Sequence, residues 1–147
     1  RLASPMHDVG KIAIPDAILL KPGPLTPVEF DLMKTHTRIG YHIFKGSQRP
    51  VLRAAAVIAH EHHERWDGGG YPCGLQGTAI HPFGRVVALI DVFDSLLSKR
   101  VYKDAWDVAT VLDYLRKERG GQFEPELVDI VLDHCDAFLN LRQCFTD

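Results

Sequence analysis

"GRVVALIDVFDSLLSKR", residues 84–100, is the stretch whose reading decides the fold. It is so apolar that it predicts the central, most buried helix of a helical domain. Asp91 and Asp94 interrupt it, which excludes a simple membrane span. A carboxylate in such a helix is costly to bury unless a cation, a hydrogen-bond network or a metal compensates. Leu89, Ile90, Phe93, Leu96 and Leu97 leave too narrow a polar stripe for both acids to face solvent. At a spacing of three, Asp91 and Asp94 are expected to look into one space.

The flanking segments read as helices too. "TPVEFDLMKTHTRIGYHIF" (26–44) opens with Thr26 as N-cap, Pro27 at the first helical position and Glu29 closing a capping box. Phe30, Met33, Thr37 and Tyr41 or Ile43 form its expected inner stripe. "PVLRAAAVIAHEHH" (50–63) carries small residues suited to close packing. In residues 105–121, Val108, Val111, Leu112 and Leu115 share one face and Gly120-Gly121 supply the stop. Residues 124–141 predict one helix from Pro125 that buries Leu127, Ile130, Val131, Cys135 and Phe138. The loop "WDGGGYPCGLQGTAIHPFG" (66–84) is long for a helical domain, and long ordered loops are often functional. The expectation is an all-α domain over residues 1–147, a single bundle with one long loop. The opening "RLASPMHD" reads as a helix in progress, and Arg1 in place of Met points to a piece of a longer protein.

With 147 residues, 46% of them hydrophobic, and a net charge of -2, the chain reads as one soluble globular domain. There is no basic excess to hold a DNA or RNA polymer. Cys73, Cys135 and Cys144 are odd in number and show no C-x-x-C spacing, so they read as reduced thiols. That reading, with no signal peptide at the start, points to a cytoplasmic location.

Several polar residues carry chemistry. In "MHDVGK" (6–11), His7 and Asp8 are adjacent helix residues about 100° apart that can flank one site, with Lys11 one turn on. Alone, the hexapeptide reads as a helix end with a surface His-Asp pair and a solvated lysine. "AHEHHERWDGGGYP" (59–72) reads as a metal site, a nucleotide-binding loop, or a polar helix end running into a turn. His36 follows Met33 at a spacing of three, where a lone histidine is more often a core residue than a ligand. His62 and His63 end their helix and can offer imidazoles to neighbouring metals. Together, His7, Asp8, His36, His62, His63 and Asp91 form an imidazole and carboxylate set without thiolate. That set suits Fe, Mn, Ni, Co or Zn, and holds two ions where a carboxylate bridges. Two metals about 3.5–4 Å apart suit phosphodiester hydrolysis. In "SKRVYK" (98–103), Arg100 and Lys103 share a face suited to phosphate, or else complement a helix C-terminus.

These motifs, in this order, resemble the HD-GYP branch of the HD superfamily. The likeness is carried by "HDVGKIAIPDAILLKPGPLTPVEF", His36, "HHERWDGGGYP" and "ALIDVFDSLLSKRVYK", and runs from about Pro5 to about Val128. It implies a bacterial metal-dependent phosphodiesterase that linearises cyclic di-GMP to pGpG and often on to GMP. By the resemblance, His7, Asp8 (as bridging carboxylate), His36, His62, His63 and Asp91 are metal ligands for two divalent ions, Fe or Mn foremost. Lys11 would contact the scissile phosphate, and Arg100 and Lys103 the dinucleotide phosphates. Gly70, Tyr71 and Pro72 form the name-giving loop, with Tyr71 beside substrate and GGDEF diguanylate cyclases as expected partners. The pattern also expects a further histidine, and in some members a glutamate, before the HD pair. This chain begins after that point, and a sensory or receiver domain is expected upstream. Gly69 stands where Thr or Ser is usual, and Lys99 and Val101 where Asp and Pro are usual. The alternatives are a nucleotide-binding or cyclase-docking module that does not hydrolyse, and a hydrolase of cyclic GMP-AMP.

Overall fold

The longest helix starts where the sequence places its cap. The Thr26 hydroxyl accepts from the Glu29 amide, and the Glu29 carboxylate accepts from the Thr26 amide at 2.7 Å. Lys21 pairs with the same carboxylate at 2.6 Å and closes the preceding Lys-Pro-Gly-Pro turn. The structure, a computed structural model, describes residues 3–99 and 104–144. Arg100 and Lys103 lie outside the described residues.

The described residues form α1 (Asp16–Leu19), α2 (Pro27–Phe44), α3 (Pro50–Glu61), α4 (Pro82–Leu97), α5 (Val108–Lys117), α6 (Pro125–Asp133) and α7 (Cys135–Gln143). Short 3-10 turns occur at Ser4–Met6, Val9–Ala13 and Gly77–Ala79, and no strand occurs among the described residues. The expected all-α architecture is borne out. Among these residues no helix is long and apolar enough to cross a membrane.

Helix α4 is central because it serves two cores. Val87 joins Ala3, Ala55 and Ile58 in one. Leu89 and Phe93 join Val111, Leu115, Phe123, Val128 and Val131 in the other. Its remaining side is open, with Phe83 and Val86 exposed. Asp94 does not share a space with Asp91. It reaches across to Arg142 of α7 at 2.8 Å, leaving Asp91 alone on the side that faces the amino-terminal turns.

Two other expectations are corrected. Thr37 is buried on the inner face of α2 as expected, but its partners there are His36 and Gly40, whereas Phe30 and Ile43 are exposed. The cause is backbone proximity. The Val9–Ala13 turn packs against α2 so closely that a Cβ on Gly10 would collide with the His36 carbonyl oxygen. Ala59 of α3 likewise presses on Gly40. A continuous stripe of large apolar side chains cannot fit there, so Thr37 and Gly40 take the close contacts beside the inward-facing His36. The second correction concerns residues 124–141, which form two helices broken at His134 (φ -121°, ψ 26°). The break lets Phe138 reach Phe93, while Ile130 points outward at 49% exposure.

This packing makes a contrast measurable by urea denaturation. Leu115→Ala, at a fully buried position, is expected to cost about 3 kcal/mol. Ile130→Ala is expected to cost less than about 1 kcal/mol, since its side chain is half in water.

Candidate metal centre

The HD pair does not lie on an α-helix. His7 ends the first 3-10 turn and Asp8 opens the second, at φ -96° and ψ 7°. The chain therefore bends at Asp8, and the two side chains face the middle of α2, the end of α3 and the middle of α4. His36 comes from the inner face of α2, and His62 caps α3 with His63 next in line. Asp91 comes from the middle of α4.

These residues converge. Asp8, His36, His62 and His63 each offer one ligand atom, and the four atoms lie within 4.8 Å of one another. The carboxylate of Asp8 faces two directions. Oδ1 lies 3.4 Å from His36 Nε2 and 3.7 Å from His62 Nε2. Oδ2 lies 3.5 Å from His7 Nε2 and takes the Lys11 ammonium at 2.5 Å. His7 Nε2 in turn lies 3.5 Å from Asp91 Oδ1. All six expected ligands and Lys11 are thus brought together.

The tautomers follow from backbone contacts. His7 Nδ1 donates to the Ser4 carbonyl at 2.8 Å, His36 Nδ1 to Met33 at 2.6 Å, and His62 Nδ1 to Ile58 at 3.0 Å. A carbonyl only accepts, so each Nδ1 carries a proton, and in the neutral form of each ring Nε2 is the atom with the lone pair. In that form His36 Nε2 and His62 Nε2 face each other at 3.4 Å as two acceptors. Asp8 Oδ1 is buried beside them without a hydrogen-bond partner. Three electron-rich atoms meeting in a buried spot fit a cation, and Nδ1-to-carbonyl bonds are the usual support for metal-bound imidazole. The absence of thiolate suits borderline divalent metals.

Electrostatics act differently on the individual ligands. Burial, followed by the neighbouring His62 and His36, presses His63 down from 6.5 to about 3. Burial also lowers His36. Burial opposes ionisation of Asp8, yet His62 and the Lys11 ammonium beside it hold its carboxyl well below the usual range. His7 moves the other way, raised chiefly by its contact with Asp91.

Residues 1–127 match the HD domain family. The chain belongs to the HD-domain family. Among curated proteins, this HD domain is 54% identical over 131 residues to the cyclic di-GMP phosphodiesterase response regulator RpfG of Xanthomonas campestris, covering 89% of this chain and 35% of that protein. It is 46% identical to a cyclic di-GMP phosphodiesterase of Thermotoga maritima, covering all of this chain and 38% of that one. It is also 47% identical to the 3′3′-cGAMP-specific phosphodiesterase 2 of Vibrio cholerae, covering 99% of this chain and 28% of that protein. The chain thus spans about a third of the length of these curated relatives. A crystal structure of a cyclic GMP-AMP specific phosphodiesterase from Vibrio cholerae superposes with a TM-score of 0.63 at 19% identity, covering 94% of this chain and 40% of that one. At that identity the likeness is one of fold.

The long loop of this HD domain is tied directly to the histidine pair. Gly70 is required by close approach, because a Cβ there would collide with the Arg65 amide nitrogen and lie 2.6 Å from Glu64 Cα. The Tyr71 amide donates to the His63 carbonyl at 3.1 Å, and the tyrosine ring stacks on the His63 ring at 4.8 Å. Sequence reasoning missed the residue that holds this arrangement. Glu64, 3% exposed, accepts from the amides of Cys73 at 2.7 Å and Leu75 at 2.9 Å. Glu61 accepts from the His81 amide at 2.6 Å and anchors the loop's far end. The signal available was a pair of glutamates beside a glycine-rich run, whose amides need acceptors.

A stability dependence on pH follows for the metal-free domain. His63 binds fewer protons folded than unfolded between about pH 3 and 6.5, so its contribution is lost as pH falls through that window. His36 acts in the same sense, and His7 in the opposite one. Chelator-treated protein is expected to show a lower denaturation midpoint at pH 5 than at pH 7. His63→Asn should flatten that slope, and an unchanged slope would contradict the burial argument.

Proposed function

We propose that this chain is the catalytic domain of a metal-dependent phosphodiesterase that hydrolyses cyclic di-GMP to pGpG or GMP. The observation that carries the proposal is the meeting of His36 Nε2, His62 Nε2 and the unpartnered Asp8 Oδ1 in one buried spot. The likeness to cyclic di-GMP phosphodiesterases at 54% and 46% identity supports the substrate. In this reading Asp8, His36, His62 and His63 would hold one divalent ion, and His7 and Asp91, with Asp8 between the two groups, would serve a second. Fe or Mn suits the donors best, and Ni, Co and Zn remain compatible. When bound, such a pair supplies an activated water and neutralises charge at phosphorus.

The chain's own residues do the rest. Asp8 presents one oxygen to each ligand group, which suits a bridging carboxylate. Lys11 is partly exposed and held by one carboxylate oxygen, so its ammonium can turn to a phosphate oxygen as charge develops there. Tyr71 flanks substrate from the loop side, and Arg100 and Lys103 are assigned to the dinucleotide phosphates on the strength of the sequence pattern alone. The outer side of the loop is the proposed docking point for GGDEF diguanylate cyclases, in the cytoplasm.

Cyclic GMP-AMP is the second substrate to weigh, given the 47% identity to a 3′3′-cGAMP-specific phosphodiesterase. Side-by-side kcat/KM values for the two dinucleotides decide between them. Mn- or Fe-loaded protein is expected to convert cyclic di-GMP to pGpG or GMP, followed by chromatography. Asp8→Ala should abolish turnover, and Lys11→Ala should lower kcat about 10²–10³-fold. Full turnover by Asp8→Ala would contradict the proposed metal role.

A further inference from the structure

The contacts assigned so far read phosphate, and none reads a base. Beside the metal centre lies a cavity of 290 Å³ whose wall includes Phe30, His63, Tyr71, Asp91 and Gln122. Phe30 sits in the first turn of α2, 45% exposed and outside both cores. It meets Tyr71 edge to face, with ring centroids 6.2 Å apart and an interplanar angle of 82°. Tyr71 in turn lies on His63, so this aromatic wall begins one ring away from the proposed ligands.

A cation completes the wall. Lys34, one turn along α2, places Nζ 4.9 Å from the Phe30 centroid and 5.9 Å from that of Tyr71. Its position is steadied by an ion pair with Asp31 at 2.7 Å. A second cavity, of 260 Å³, opens on the Lys34 side of Tyr71 and also includes Arg38. A phenylalanine left in water at the rim of a cavity gains from a flat apolar guest, and nucleobases stack on such rings. Guanine also presents two acceptors, O6 and N7, along one edge, which suits an adjacent ammonium.

We propose that Phe30, with Tyr71 and Lys34, forms a shelf on which one purine base of the substrate stacks while its phosphate lies at the metal centre. This rests on the phosphodiesterase reading above. The shelf gives the domain a means of preferring dinucleotides to simple diesters, and Lys34 favours a guanine edge.

The test compares metal-loaded wild type, Phe30→Ala and Phe30→Trp on cyclic di-GMP and on bis(p-nitrophenyl) phosphate, a diester without nucleobases. Phe30→Ala is expected to lower kcat/KM for cyclic di-GMP, mainly through KM, by roughly ten-fold or more beyond any change on the simple diester. Phe30→Trp should restore it, with metal content per chain equal in all three proteins. Equal effects on both substrates, or none on cyclic di-GMP, would overturn the shelf and leave the hydrolase reading standing. Wild type that cleaves the simple diester but not cyclic di-GMP would overturn the substrate reading and the shelf with it.

Discussion

Asp8 Oδ1 and the Nε2 atoms of His36 and His62 meet in one buried space, and with neutral imidazoles all three are acceptors. Leaving a buried acceptor unsatisfied costs about 1–3 kcal/mol, and more where charge is involved. The fold nevertheless builds this arrangement from three separate segments. Each imidazole is held by a backbone carbonyl, and the Asp8 carboxylate by the Lys11 ammonium. The two glycines that allow it are structural necessities: Gly10 lets the Asp8 turn approach α2, and Gly70 lets the loop approach His63. Close backbone contact and convergent lone pairs are thus two aspects of one constraint.

Much of this was legible in the sequence, for identifiable reasons. The Thr26–Glu29 box sets the start of α2 by local hydrogen bonding, so it needed no tertiary knowledge. The apolarity of residues 84–97 marked the central helix, and Asp91 stood out because burial of a carboxylate demands a partner. His36 was ambiguous from spacing alone, since a buried histidine and a ligand look alike until its Nε2 is seen facing another. The family pattern, not periodicity, picked it out.

What was not legible depended on contacts distant in sequence. The inner face of α2 is set by the approach of Gly10 and Ala59, which places His36, Thr37 and Gly40 inward in place of the apolar stripe that helical spacing predicts. Asp94 has the same spacing logic as Asp91 but finds Arg142, a residue 48 positions away. The α6–α7 break at His134 has no proline or glycine to announce it. Glu64 looked like one more acid in a polar cluster, yet it organises the loop that places Tyr71 over His63. Tertiary packing decided each of these over local preference.

The central claim is that the Asp8, His36, His62 and His63 group is a cation site. An anomalous difference map from crystals of the metal-loaded protein, collected on either side of the metal's absorption edge, tests it most directly. The account predicts a peak bonded to His36 Nε2, His62 Nε2 and Asp8 Oδ1, with the Nδ1-to-carbonyl bonds intact. A map with metal bound only elsewhere, and this group unchanged around water, would contradict it.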